Sequence, residues 1–296
     1  MPKFTEDTLN IWRMPPSDTE DTKLSNAERM IREAIANDDK LNKLSYEIYG
    51  QGSYANDTNV RLNSDIDINI RLLSTIYVDV PVGKSSSDYG YSDSNYKFAE
   101  YKTDVFNALV KYFGSSEVKR KDKCIEIKGN SYRVQADVVP TFKYIRHFEN
   151  GIKREGAKFI SDTIDAHQNF ALQHIESGKK KNLDTSKRFK RLVRIFKRVR
   201  YKMIEDGIIE NSNITSFLLE SLLWNVPSNI YNENLTWTER LRQSIIYIYN
   251  QTKDIETCKG WTEISECLYL FHSQRKWSVY DVNQFMIKTW NYLEFS

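Results

Sequence analysis

The sequence predicts an α+β protein in which a mixed sheet with helices comes first and a helical lobe follows. Two kinds of periodicity and one composition argue for this. In the first half, short runs alternate apolar and polar residues with the period of 2 that a strand requires, as in Asp65–Ile70 and Tyr132–Val138. From about Ser161 onward the apolar residues recur at helical spacing almost throughout. The 296 residues are 40% hydrophobic with few Gly and Pro, which suits a folded chain of one or two domains. The expected division is an arm over 1–22, an acid-bearing core over 23–155 and a helical lobe over 156–296.

Met1–Asp21 carries Trp12, Pro15 and Pro16 amid acidic and polar residues, and reads as a short irregular or partly helical arm. Ser25-Asn-Ala-Glu28 matches a capping box, and Ala27, Ile31, Ala34 and Ile35 continue a helix to about Lys43. Glu47–Tyr49 is the first strand and Gly50–Ser53 the turn after it. In Asp65–Ile70, Asp65, Asp67 and Asn69 alternate with Ile66, Ile68 and Ile70. Both carboxylates therefore share one strand face while the isoleucines pack the other. Thr75–Val82 alternates again and predicts a separate strand, and polar Gly83–Asn95 predicts a loop. Tyr96–Gly114 sets Phe98, Tyr101, Val105, Phe106, Leu109 and Phe113 on one helical stripe. Cys124–Lys128 and Tyr132–Val138 flank Gly129-Asn130-Ser131 as a hairpin, whose second arm carries Asp137 and ends at Pro140.

In the second half the main piece is Asp184–Met203, which Asp184, Thr185 or Ser186 can cap. Phe189, Leu192, Val193, Phe196, Val199 and Met203 form its apolar stripe, and Lys187–Lys202 holds nine basic residues and no acid. Surface helices mix signs to limit repulsion at i,i+4, so something anionic is expected to neutralise part of this one. Ile214-Thr-Ser-Phe217 opens a further apolar helix that Pro227 ends, and Trp237–Ser296 is aromatic-rich and helical.

Composition narrows the function. No apolar run is long enough to cross a bilayer, and the N-terminus lacks the basic and apolar regions of a signal peptide. Cys124, Cys258 and Cys267 are an odd, spread set that predicts neither disulfides nor zinc. A reduced, cytoplasmic chain is expected. The formal net charge of +3 does not by itself announce a nucleic-acid binder.

The chemistry lies in Gly50–Arg71 together with Asp137. Neighbouring same-face carboxylates on a strand stand roughly 7 Å apart and repel unless a cation intervenes. A Gly-Ser turn at Gly52 and Ser53 exposes backbone N–H groups and a hydroxyl, a cradle for phosphate oxygens. The paired-aspartate strand follows Ser53 by twelve residues, and Asp137 follows Asp67 by seventy. Three carboxylates on strands beside a phosphate cradle describe a Mg²⁺ site for phosphoryl or nucleotidyl transfer.

G-S-Y-A-N-D-T-N-V-R…S-D-I-D-I followed by A-D-V-V-P resembles the polymerase-β-like nucleotidyltransferases, and most of all their bacterial cGAS/DncV-like branch, the CD-NTases. R-L-V-R-I-F-K-R-V-R and I-T-S-F-L-L-E-S-L-L-W-N-V-P resemble that branch's C-terminal helices, so the likeness covers about Glu47–Pro227. The resemblance implies a polymerase-β-like core and a helical lobe, with the active site in the cleft. It implies that Asp65 and Asp67 bind two Mg²⁺ ions, or Mn²⁺, and that Asp137 holds the ion activating the acceptor hydroxyl. It further implies that Gly52 and Ser53 hold the β- and γ-phosphates and that Lys197 contacts the triphosphate. Ser216 and Phe217 match a Ser-Tyr pair that touches phosphate and stacks on a base, although Phe lacks the tyrosine hydroxyl. The implied activity joins NTPs into a cyclic di- or oligonucleotide, with pyrophosphate leaving. The product reaches a downstream effector in anti-phage defence, and the protein acts as a monomer without membrane or zinc. Two other readings stay open here: an RNA-tailing or small-molecule nucleotidyltransferase with the same metal site, and a non-catalytic nucleic-acid-binding protein using the basic helix.

Overall fold

A computed structural model describes residues 2–60, 65–211, 213–273 and 275–296. Two compact units share the chain in an interleaved way: an α/β unit of Ser17–Ala55 and Asn63–Leu172, and a helical unit of Met1–Pro16, Asn56–Leu62 and Gln173–Ser296.

The α/β unit begins with helix α2 (Asp18–Ala36), which starts seven residues before the expected capping box. S-x-x-E occurs twice here, and Ser17 with Glu20 forms the box that is used. Leu24 explains the choice: it is fully buried with Ala27, Ile31, Ala34 and Ile35, so the apolar stripe already runs before Ser25. The helix ends at Ala36, short of Lys43, and a 3-10 turn covers Leu41–Lys43.

Strand β1 (Tyr46–Gln51) leads into the four-residue helical turn α3 (Gly52–Ala55). Strand β2 (Ile66–Asp79) then absorbs both strands expected over 65–82, with a register shift between Leu72 and Ile76. Helix α4 (Phe98–Phe113) and strands β3 (Val118–Arg120), β4 (Ile125–Ile127) and β5 (Ala136–His147) follow. The predicted hairpin forms only in part: Ile125 lies opposite Val138 and Ile127 opposite Ala136, and the connection takes in 128–135 and not Gly129–Ser131 alone, so residues 132–135 are not strand. Its second arm does not stop at Pro140. Residues 139–141 pair only with β2, because β4 ends opposite Val138 and β6 (Lys153–Ile160) begins opposite Phe142. Proline's missing donor therefore falls where no second neighbour asks for it. Strand β7 (Ala166–Asn169) pairs with β6, so the helical pattern expected from Ser161 begins only with α5 (Ala171–Asp184).

The sheet runs β1-β2-β5-β4-β3, with β6 and β7 continuing from β5. The pair β2/β5 is parallel and the others are antiparallel, the mixed sheet that was expected. Ile66, Ile68, Ile70 and Leu72 on one face of β2 pack in a core with residues of α2 and α4. Burying each such side chain is worth about 2 kcal/mol, which pins the register and hence the polar face.

The helical unit contains α1 (Glu6–Trp12), most of α5, α6 (Phe189–Glu205), α7 (Ser216–Trp224), α8 (Ser228–Glu233), α9 (Trp237–Gln251), α10 (Ile255–Cys258) and α11 (Val279–Tyr292). The N-terminal arm is structural: Leu9 joins the core, and the Glu6 carboxylate accepts from Trp237 N at 2.6 Å and Thr238 N at 2.9 Å, capping α9 from α1. The expected helix over 184–203 is shorter, since Asp184 closes α5 and α6 starts at Phe189. The cap foreseen at Asp184, Thr185 or Ser186 falls instead on Arg188, which makes no side-chain cap bond, although Thr185 Oγ1 accepts from Phe189 N at 3.1 Å. All six stripe residues of α6 are buried. Among the described residues, no helix is long and apolar enough to cross a membrane.

Candidate active site

The parallel pairing of β2 with β5 sets Asp67 directly beside Asp137. On the other side of β2, Gln51 of β1 is the partner of Asp67, and on β4 Glu126 is the partner of Asp137. Adjacent strands lie about 4.8 Å apart, so these polar residues form one row across the sheet. Asp65 precedes β2 and is exposed, and its charge acts on both Asp67 and Asp137.

The row is short of positive charge. Burial, then the charges of Asp65 and Asp137, push the Asp67 carboxyl up to about 7. Asp137 is raised as well, mainly by burial. Lys121 opposes that shift, while Asp65 and Glu126 add to it. The Lys121 ammonium is itself bonded to Glu126. The Cys124 thiol donates to Asp137, and burial together with that carboxylate pushes the thiol up to about 12. One oxygen of Asp137, Oδ1, is buried with no hydrogen-bond partner among the described residues.

Beneath the acids the polar face of β2 is tied down. Asn69 Nδ2 and Asn169 Nδ2 donate to Gln51 Oε1 at 3.2 and 2.8 Å, and Thr141 Oγ1 donates to Asn69 Oδ1 at 2.7 Å. Arg71 is buried between Glu47, Glu155 and the carbonyl of Gly156. Its guanidinium is thus spent at the far end of the face.

Gly52 stands against the acids. Its φ is +67°, and a Cβ there would lie 2.1 Å from Asp67 Oδ2. Glycine is required twice over, for the left-handed backbone and for the space the Asp67 carboxylate occupies. Ser53 follows in α3, half-buried. The Gly-Ser turn and the acids expected 12 or more residues later therefore meet at one place.

The donor set fits a hard divalent cation in its chemistry: carboxylate oxygens, one of them buried and unpartnered, and an acid raised first by burial and then by two neighbouring carboxylates. Among the described residues, no three His, Cys, Asp or Glu side chains stand close enough together to hold a metal ion.

The remaining expected residues lie in the helical unit. Lys197 is 2% exposed, and its Nζ donates to the carbonyl and the Oγ1 of Thr58, both at 3.1 Å, with Glu220 Oε2 at 3.6 Å. Its ammonium is committed inside the protein. Ser216 opens α7 behind Thr215, which is the actual N-cap, and its Oγ lies 3.3 Å from the Tyr201 hydroxyl. Phe217 sits among His174, Trp277 and the Arg275 guanidinium, with ring or charge centres 5.4–6.2 Å away.

Sequence reasoning missed Lys121, Cys124, Glu126 and Gln51. The first three lie on the β3–β4 hairpin, where only the strand register reveals which side chains face Asp137. Gln51 could have been found, since it precedes the Gly-Ser turn and shares a polar face with Tyr49.

A family model described as the cGAS/DncV-like nucleotidyltransferase C-terminal helical domain matches residues 176–294. A cyclic dipyrimidine nucleotide synthase CdnE of Cecembia lonarensis is 57% identical over 295 residues, covering 100% of this chain and 100% of that protein. The solved structure of Elizabethkingia meningoseptica CdnE cyclic dinucleotide synthase with GTP and Apcpp is 36% identical, covers 99% of this chain and 100% of its own, and superposes with a TM-score of 0.82. That of Rhodothermus marinus CdnE c-UMP-AMP synthase with Apcpp and Upnpp is 27% identical, covers 97% and 95%, and gives a TM-score of 0.85. With a full-length relative at this identity, a matching helical domain and a shared fold, the chain belongs to the cGAS/DncV-like nucleotidyltransferases, the CD-NTases, and is a nucleotidyltransferase.

Proposed function

We propose that this enzyme joins two or more NTPs into a cyclic oligonucleotide, releasing pyrophosphate at each bond, and that the product signals to an effector in anti-phage defence. The observation that carries the chemistry is the meeting of Gly52 with Asp67, beside Asp137. The named relatives, all cyclic nucleotide synthases over nearly full length, support cyclisation as the outcome.

In this reading, Asp65, Asp67 and Asp137 hold two divalent cations, Mg²⁺ or Mn²⁺. When bound, the ions supply Lewis-acid stabilisation of charge on the attacking and leaving oxygens. The chain's own residues do the rest. Backbone N–H groups and the Ser53 hydroxyl orient the β- and γ-phosphates of the donor, and the bare α-carbon of Gly52 lets phosphate approach the acid row. Asp137 lies beside Asp67 on a rigid strand, where its carboxylate orients the ribose hydroxyl that attacks the α-phosphorus. The new O–P bond forms as the bond to pyrophosphate breaks, and a second attack within the linear product closes the ring. Ser216 and Phe217 serve the nucleotide from the helical unit. The enzyme works in the cytoplasm as a monomer.

The test is incubation of the purified protein with all four NTPs and Mg²⁺, phosphatase treatment, and mass spectrometry. A phosphatase-resistant cyclic oligonucleotide is expected. Its absence across several divalent metals and pH values would overturn cyclisation.

A further inference from the structure

The basic helix α6 has a use that the proposed chemistry leaves open. Nine cations line 187–202, yet Lys190, Arg194, Lys197 and Arg200 are buried. The partners of Arg194, Lys197 and Arg200 are internal. Arg200 donates to the Ile214 carbonyl and, at 2.6 Å, to Asn211 Oδ1. Arg194 and Lys197 both reach a single short stretch, Asn56–Val60.

That stretch is the chain leaving the Gly-Ser turn: α3 ends at Ala55, and Asn56 is the next residue. Its packing belongs to the helical unit, and Asn56, Thr58, Asn59 and Val60 are all buried. Arg194 Nη2 donates to the Asp57 carbonyl at 2.8 Å and to its carboxylate at 2.5 Å, while Nη1 donates to the Arg13 carbonyl at 3.0 Å. Asp57 has a φ of +51°, a left-handed conformation costly for a residue other than glycine, and the guanidinium grips both of its acceptors. Lys197 holds the next residue, Thr58, by its carbonyl and its hydroxyl. Burial lowers the Lys197 ammonium below its ordinary value, and Glu220, 4% exposed and facing it from α7, opposes that shift.

We propose that Arg194, Lys197 and Glu220 are positioning residues: they clamp Asp57 and Thr58, and through the continuous chain they set where the Gly52–Ser53 turn presents its phosphate-binding groups. Lys197 thus acts on the crossover. The inference rests on the phosphate role given to Gly52 and Ser53 above.

The experiment measures hydrogen exchange of the nucleotide-free protein, then KM and kcat for NTP, in Arg194→Met, Arg194→Lys, Glu220→Gln and Thr58→Val. Arg194→Met and Glu220→Gln are expected to speed exchange across 52–60 and to raise KM, each by about tenfold, the scale on which small misplacements of binding groups are felt. Exchange in α9 and α11 should stay at the wild-type rate, kcat should fall less than KM rises, and Arg194→Lys should recover part of both effects. Thr58→Val removes one acceptor and no charge, and should show a smaller change of the same kind; it carries the test where Arg194→Met does not fold. Wild-type exchange over 52–60 with a raised KM in Glu220→Gln would overturn the proposal, because the charges would then be acting on the nucleotide directly. So would faster exchange with unchanged KM and kcat, which leaves only a structural tie. A wild-type protein that turns over no NTP refutes the catalytic reading instead, and the nucleotide-free exchange still reports whether the crossover is clamped.

Discussion

On the polar face of β2 and its neighbour β5, Asp67 and Asp137 stand side by side, with the exposed Asp65 just before β2 acting on both, and the paired two hold their protons more tightly than usual. On α6 the arrangement is reversed: Lys197 and Arg194 are buried deeper than any of these acids, yet each charge ends on a carboxylate, a carbonyl or a hydroxyl of the same unit. Both regions gather like charge, nine cations along 187–202 and two aspartates at 65 and 67 that Asp137 joins through strand pairing. Their difference shows how to separate charge kept for a ligand from charge used to build the protein. In the proposed mechanism, charge that the fold neutralises builds the protein, and charge left uncompensated beside the Gly-Ser turn is kept for a ligand.

The comparison can be broken most decisively at the acids. Asp65→Ala and Asp67→Ala should each lower product formation by about a thousandfold. Their thermal midpoints should hold or rise, because like-charge repulsion is relieved. Full activity in either protein, read by mass spectrometry of products, would remove the metal-ligand assignment. At α6 the opposite is expected. Lys197→Met strands a buried Glu220 and should cost about 3–5 kcal/mol in urea unfolding. The double variant Lys197→Met/Glu220→Leu should regain much of that loss. A single variant as stable as wild type would show that α6 is not neutralised from within.

Gly52→Ala tests the contact between turn and acid. Its Cβ would overlap Asp67 Oδ2 and its backbone would be strained, so activity should fall roughly a hundredfold with a loss of about 1–2 kcal/mol. The smallest effect is a pH dependence. The Asp67 value of about 7 lies above its ordinary 3.8, so the metal-free folded protein keeps a proton that the unfolded chain has already released. This group's contribution therefore weakens the fold as pH rises between those two values. A divalent cation binds the ionised form, so the gain in thermal midpoint from Mg²⁺ should be larger near about pH 8 than near about pH 6. Asp67→Asn should flatten that difference, and an equal gain at both pH values would show that Asp67 is no ligand.

Much of the candidate site was legible because its signals are local. The alternation in Asp65–Ile70 places the carboxylates opposite the isoleucines whatever the rest of the chain does, and the core behind β2 confirms it. Gly52-Ser53 marks a turn by its residue types alone. Other features were ambiguous or silent in one dimension. Two S-x-x-E boxes competed for the start of α2, and only the burial of Leu24 decides between them. Strand β7, Ala166–Asn169, is too short to carry a period, and Pro140 is tolerated within β5 only because two neighbouring strands leave a gap there.

Charge is where the two levels part most clearly. A basic stretch without acids announces that counter-charges are needed, and the sequence alone settles that much, since repulsion at i,i+4 is a property of the helix. It could not say that the partners lie inside the protein, because Arg194 meets Asp57 across 137 residues and Lys197 meets Thr58 across 139. Local periodicity records which face a side chain takes. Which distant group waits on that face, and whether a charge is spent there or left for a ligand, is decided only when the chain closes on itself.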